Sequence, residues 1–229
     1  MHDPNSLKFV ESLFGKNILF FDLETTGLPR RMGKFLPPEK EYDEYTNNKS
    51  YDSSRIVQIG WCMLENFSKS NLKNLDNVTS EIRKPKDFYD IPDDSVKFHN
   101  ITYDKARKEG RLLSKILNDD FGDDILKCDA MIAYNVFFDV NILLNELHRL
   151  KFTDHIDHIK KLMKTKHIIG LETICKKVCP PKLWKPFHPN QFPSQISVYE
   201  GLFGDKPKKT HDAGADVETM MKIMYKILD

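Results

Sequence analysis

The chain has 229 residues, 40% hydrophobic and 30% charged, with a formal net charge of +1. That length is enough to bury a real core, and the near-balanced charge excludes a whole-surface basic field, so any binding to polyanions must depend on local patches and metal ions. No apolar run is long enough to span a bilayer. Residues 1–15 carry acids where a secretory leader needs a basic flank and an apolar core, so the chain reads as intracellular and cytoplasmic, without membrane contact.

In chain order, NILFFDLE (17–24) is a short apolar run with aromatics and reads as a buried strand. Residues 29–55 are polar, rich in Pro, Asn and Ser, and without period, which predicts a long loop inserted in the domain. RIVQIGWCMLE (55–65) and NVTSEIRKP (77–85) read as further strands, making an antiparallel meander with the first. IPDDSVKFHNIT (91–102) predicts a short helix with an Asp cap. Residues 102–121 predict one or two helices interrupted near Gly110. CDAMIAYN (128–135) is a fourth apolar strand. FDVNILLNELHRL (138–150) is an amphipathic helix with Ile142, Leu143, Leu147 and Leu150 on one stripe. Residues 154–167 are rich in His and Lys and read as a polar helix face. Residues 167–178 fit a strand or a helix. PSQISVYEGLFG (193–204) reads as a helix opened by proline and closed by glycine. Residues 211–228 predict a last helix with Val217, Met220, Met221, Met224 and Ile227 facing inward. Early strands followed by alternating strand and helix argue for one α/β domain, residues 1–229, around a mixed sheet.

The four cysteines, Cys62, Cys128, Cys175 and Cys179, read as reduced thiols. Cys175 and Cys179, followed by His188, have a metal-ligand spacing, but no second pair matches it, and buried thiols are the better reading.

Two acids close the first strand. On a strand, residues i and i+2 share a face, so Asp22 and Glu24 project into one space. Like charges that close repel unless a cation lies between them, and hard oxygen ligands suit Mg²⁺ or Mn²⁺. Alone, the pair also fits a capped turn with exposed acids. Gly27 frees the backbone for close approach to a ligand, and Thr25 and Thr26 offer hydroxyl and N–H groups. Asp139 follows the fourth strand at a helix start, where open α/β sheets collect ligands; alone it reads as a helix cap. Asp216 lies one turn inside the last helix, and His211 sits at that helix's entry. Four carboxylates and a histidine at element ends make a rarer constellation than any one of them.

FFDLETTGL (20–28), AYNVFFDVNIL (133–143) and HDAGADVE (211–218), in that order, resemble the motifs of the DnaQ-like 3′–5′ exonucleases, the DEDDh branch of the ribonuclease H-like superfamily. RIVQIGW (55–61) and IPDDSVKFHNIT (91–102) resemble that family's second strand and substrate-contact segment. The resemblance runs from 17 to 228 and implies a ribonuclease H-like fold: a central mixed five-stranded sheet flanked by helices. It implies that Asp22, Glu24, Asp139 and Asp216 hold two divalent ions, Mg²⁺ or Mn²⁺, and that His211 is the general base. It also implies that Thr25, Thr26, Gly27 and Leu28 line the site of the 3′-terminal nucleotide, with His99 and Phe138 as further substrate contacts. Two ions roughly 3.5–4 Å apart stabilise both the attacking and the leaving oxygen of an in-line phosphoryl displacement.

The expected reaction is therefore release of nucleoside monophosphates from single-stranded or frayed DNA 3′ ends. The same site on RNA is the alternative, and a silent nucleic-acid-binding module is the rival from another class. The expected partners are a single strand with a free 3′ end and, for a proofreader, a polymerase or repair complex. The long 29–55 segment departs from compact members of the family. Its Arg30, Arg31, Lys34, Tyr42, Tyr45 and Tyr51 read either as a hold on a single strand or as a solvated loop. The lysines of 206–209 stand where a phosphate contact would, though short lysine runs are usually only solvated.

Overall fold

The computed structural model describes residues 4–33, 40–85, 90–184 and 191–229. Lys34 and His188, and with them part of the irregular stretch before Pro193, lie outside the described residues. The strands are β1 (Ile18–Thr25), β2 (Ile56–Leu64), β3 (Thr79–Ile82), β4 (Ala130–Ala133) and β5 (Ile168–Gly170). They form one five-stranded mixed sheet of order β3-β2-β1-β4-β5. The three early strands are the expected antiparallel meander, and β4 and β5 run parallel to β1.

The helices are α1 (Pro4–Glu11), α2 (Asp93–His99), α3 (Tyr103–Glu109), α4 (Leu113–Ile116), α5 (Asp120–Lys127), α6 (Val136–Leu150), α7 (Thr153–Lys164), α8 (Leu171–Val178), α9 (Pro181–Trp184), α10 (Gln195–Phe203) and α11 (Ala213–Ile227). β1 is apolar on both faces because both are covered. Ile18 and Phe20 pack in a layer with Val217, Met220, Met221 and Met224 of α11 and with residues of α8 and α10. Leu19, Phe21 and Leu23 pack in the opposite layer with Val140, Leu143, Leu144 and Leu147 of α6 and with α4, α5 and α7. Each such fully buried side chain contributes roughly 1.5–3 kcal/mol of transfer free energy.

A buried ion cluster ties the second layer to the sheet. Glu146 of α6 is 1% exposed. It accepts two hydrogen bonds from Arg55, at 2.7 and 3.0 Å, and a third from Arg83. Burial pushes its carboxyl up, but the two guanidinium groups outweigh that and leave it below the usual range.

Several local expectations are corrected. The N-cap of α2 is Pro92, without a side-chain cap, and Asp93 and Asp94 sit in the first turn instead, where the helix dipole favours acids. Pro193 stays outside α10, which opens at Ser194, whose hydroxyl accepts from the Ser197 N–H. Residues 102–121 break at Gly110 as expected, but their helices number three. Residues 167–178 are strand then helix, split at Gly170. The face of α7 is not purely polar: His155 is buried and His158 bonds the Cys128 carbonyl oxygen at 2.9 Å. All four cysteines are buried and unpaired by disulfide.

The 29–55 segment departs most. Its described part is built, not loose. Arg31 and Tyr42 form a β-bridge, and Met32 N–H donates to the Glu41 carbonyl at 2.8 Å. Asp43 accepts from Ser50 and Asn47. Asn145 of α6 donates to the Tyr45 carbonyl and the Asn48 side chain, and Arg149 to the Asn48 carbonyl and Asp52. Tyr51 is fully buried and Tyr42 nearly so.

Candidate active site

The alternation that buries Ile18 and Phe20 under α11 continues to Asp22 and Glu24. The two acids therefore share the α11 face at the strand's C-terminal end. Asp22 stands beside Gly60 of β2, and Glu24 beside Gln58. A Cβ at Gly60 would lie 2.2 Å from the Ala213 backbone, so only glycine lets the start of α11 rest on the sheet here. Gln58 fixes the same contact: its amide oxygen accepts from the Ala213 N–H at 3.2 Å, and its Nε2 donates to Ser80 at 2.7 Å and Asp212 at 3.2 Å. Asp212 caps α11 through the Ala215 N–H. With the helix start so placed, one turn in, Asp216 faces Asp22 and Glu24. Carboxylate oxygens of the three lie within 4.8 Å of one another.

Asp139 arrives from the other layer. It is 3% exposed, in the first turn of α6, and is not the helix cap, which is Asn135. It reaches the strand end, where the Leu23 N–H and its own N–H hold its carboxylate.

The electrostatics are those of acids without counter-charge. Burial first, then Asp139, Asp216 and Glu24, raise Asp22 well above the ordinary carboxylate range. Burial and the neighbouring acids push Glu24 to about 8. Asp139 rises to about 8, mostly by burial. Asp216 rises to about 6, burial being partly offset by His211. Among the described residues no hydrogen-bond donor or cation reaches the Asp22 and Glu24 carboxylates. Hard oxygen donors, clustered and uncompensated, fit a divalent cation such as Mg²⁺ or Mn²⁺.

Two adjoining cavities open on the cluster. One, about 280 Å³, is lined by Asp22, Glu24, Asp139, Asp216, Gln195 and His211 among others. The other, about 390 Å³, is walled by Leu23–Leu28, Asp94, Ser95, Phe98, His99, Phe138 and His211. Glu24, Phe138 and His211 belong to both. His99, buried, accepts the Ile101 N–H at Nδ1, so its proton sits on Nε2, which has no hydrogen-bond partner. Burial holds its pKa below the usual value. His211, exposed at φ 56°, meets the Phe98 ring edge-on at 5.7 Å between centroids.

The family model described as Exonuclease (RNase_T) matches residues 19–224. The chain belongs to the exonuclease family. The acids and histidine above are the set of its DnaQ-like, DEDDh members within the ribonuclease H-like superfamily, and the mixed sheet flanked by helices is the fold of that superfamily. The fold is similar to that of E. coli exonuclease I in a zinc-bound complex with single-stranded DNA, at 19% identity and TM-score 0.58, over 92% of this chain and 40% of that one. The same enzyme with a dT13 oligonucleotide gives 18%, 0.57, 92% and 40%. A product-bound exonuclease I gives 18%, 0.59, 93% and 43%. The chain thus spans about 40% of the length of the exonuclease I chains it matches. No curated protein matches it. No helix among the described residues is long and apolar enough to cross a membrane.

Within this exonuclease fold, Asp22, Glu24 and Asp216 meet at the strand end, with Asp139 and His211 on the same cavity. Thr25–Leu28, His99 and Phe138 line the adjoining one. The threonine hydroxyls do not face a ligand as donors. Thr25 donates to the Gly27 carbonyl at 2.7 Å, and Thr26 donates to the Ser53 carbonyl at 3.0 Å while accepting the Arg55 N–H. The backbone that Gly27 lets approach is Ser53, whose oxygen a Cβ would meet at 2.9 Å. The turn they build leaves Leu28 65% exposed at the cavity wall. Lys209 pairs with Asp212 at 2.7 Å, and Lys206 with Glu200 at 3.7 Å.

Four residues that matter here were not singled out from the sequence: Gly60, Gln58, Gln195 and Phe98. Gln195 donates to the Asp216 carbonyl at 2.8 Å and holds that acid's turn. Gln58 and Gly60 did leave a trace: a polar side chain and a glycine inside an otherwise apolar strand mark a close approach.

Proposed function

We propose that the chain is a metal-dependent 3′–5′ exonuclease that releases nucleoside monophosphates from single-stranded or frayed DNA ends. The observation that carries this reading is the set of buried, uncompensated acids at the end of β1, next to a cavity sized for a nucleotide. Asp22, Glu24, Asp139 and Asp216 hold two Mg²⁺ or Mn²⁺ ions. Bound there, the ions supply Lewis-acid stabilisation of the phosphoryl oxygens and acidify the attacking water.

The chain's own groups do the rest. His211, beside Asp216, accepts the proton of the attacking water as general base. Thr25, Thr26, Gly27 and Leu28 form the wall against the 3′-terminal nucleotide, with Leu28 presenting an apolar edge to its base. The Nε2–H of His99, a buried donor without a protein partner, bonds an oxygen of that nucleotide. Phe138 and Phe98 offer ring surface, which tolerates any base, so sequence preference is weak. DNA is favoured because the solved structures similar in fold hold DNA oligonucleotides. The partner is a strand with a free 3′ end, met by one exonuclease domain that extends over residues 1–229.

The test is a sequencing gel of 5′-labelled single-stranded DNA and matching RNA, each with Mg²⁺, Mn²⁺ or EDTA. A metal-dependent ladder that shortens from the 3′ end, faster on DNA, is expected. A faster RNA ladder would move the substrate to RNA. No ladder from folded protein would overturn the reading.

A further inference from the structure

The inserted segment between β1 and β2 does more than cover the surface. A base-stacking role for its tyrosines does not fit their burial: Tyr51 is enclosed, and Tyr45 packs edge-on against His148 of α6. Tyr42 is different. It is 8% exposed, yet its hydroxyl makes no hydrogen bond in the structure. A buried hydroxyl without a partner costs on the order of 1–3 kcal/mol, so something must be gained by keeping it. Its ring meets Phe138 edge-on at 6.4 Å between centroids. Phe138 lines both cavities and immediately precedes Asp139. Asp139 is also one of the charges that raise the Tyr42 pKa, after burial and Glu41.

The segment that carries Tyr42 is held in place from two sides. Arg31 bridges Tyr42 in the backbone and pairs with Glu41 at 2.9 Å. Asn145 and Arg149, farther along the helix that bears Asp139, grip residues 45–52. The insertion and the third acid are thus mounted on one rigid element.

We propose that Tyr42 is a positioning residue for the third acid: its ring braces Phe138, and its hydroxyl donates the hydrogen bond that orients Asp139 when that carboxylate is ionised. This rests on the reading of Asp139 as a cation-holding acid. A partner that orients a ligating carboxylate commonly sets affinity or activity by about 10–100-fold.

Tyr42→Phe removes the hydroxyl and keeps the ring. It is compared, in the full chain, with wild type and with Tyr51→Phe, whose hydroxyl donates to the Asp43 carbonyl inside the insertion. Three quantities are read: Mn²⁺ affinity by electron paramagnetic resonance, kcat and KM on single-stranded DNA, and Tm. For Tyr42→Phe, Mn²⁺ affinity and kcat are expected to fall about 10-fold, with KM and Tm held. Tyr42→Ala additionally raises KM, because Phe138 loses its brace. Tyr51→Phe is expected to lower Tm and leave Mn²⁺ affinity and kcat alone. A Tyr42→Phe protein equal to an active wild type in Mn²⁺ affinity and kcat overturns the inference and leaves the exonuclease reading standing. A wild type that neither binds Mn²⁺ nor cleaves overturns both.

Discussion

Two groups of buried charge sit on this sheet, and they are built in opposite ways. Around Glu146, one carboxylate meets two guanidinium groups and all of them are hydrogen-bonded. Its pKa falls. At the end of β1, four carboxylates meet one another, and the pKa values rise. The first group is complete in the protein alone, and its role is to lock α6 to β2 and β3. The second is complete only with cations. A fold keeps an arrangement that costs it stability where function requires it.

The largest effect comes from breaking the second group. Asp22→Asn keeps the shape and removes a charge. Hydrolysis should fall by about 10³-fold or more, the several kcal/mol of charge stabilisation that bound ions supply, while Tm in EDTA should rise because repulsion is relieved. A gel assay and a melting curve on one sample check both signs.

His211→Ala comes next. Loss of the general base should lower kcat by roughly 10²–10⁴ and leave Mn²⁺ affinity nearly intact. Collapse of that affinity would make the histidine a ligand instead.

Breaking the first group has a different readout. Glu146→Ala leaves two arginines buried without their partner and should cost about 3–5 kcal/mol in urea denaturation. The folded fraction should lose far less activity than Asp22→Asn does.

The smallest effect sharpens the comparison through pH. Glu24 and Asp139 titrate near 8 and Asp216 near 6 in the folded, metal-free chain, against roughly 4 when unfolded. The folded state therefore binds extra protons between these values. The stability this contributes is full below about pH 4 and is lost as pH rises through 6 to 8. Glu146 has the reverse sign: its contribution is present above its unfolded pKa and is lost as pH falls through its depressed one. Tm in EDTA should therefore fall by a few degrees from pH 5.5 to 8.5, and Mn²⁺ should flatten that slope.

Much of this was legible in the sequence because it follows local periods. The strand period of two puts Asp22 and Glu24 on one face, and the helical period of α11 sets Met220, Met221 and Met224 inward with Asp216 near the sheet. The four acids, His211, His99 and Phe138 were legible as a resemblance, and the structure brings them to two adjoining cavities. What stayed hidden depends on residues distant in sequence. Tyr42 and Tyr51 look like loop aromatics in a polar stretch, and their burial is decided by Asn145 and Arg149 about a hundred positions later. Gly60 reads as a weak point in a strand until Ala213 is seen resting on it. The threonines of the TTG turn read as ligand donors, but the turn itself consumes their protons. The split of 167–178 at Gly170 escaped because β5 is only three residues long, too short for any period to show.

The central claim is that the acids at the end of β1 are incomplete without divalent cations. Calorimetric titration of Mn²⁺ into the EDTA-stripped protein at pH 6.5, repeated in buffers of different ionisation enthalpy, tests it most directly. The account predicts binding with net release of protons, since the raised carboxyls must ionise to ligate, and loss of that binding in Asp22→Asn. Binding without proton release, or equal binding by Asp22→Asn, would contradict it.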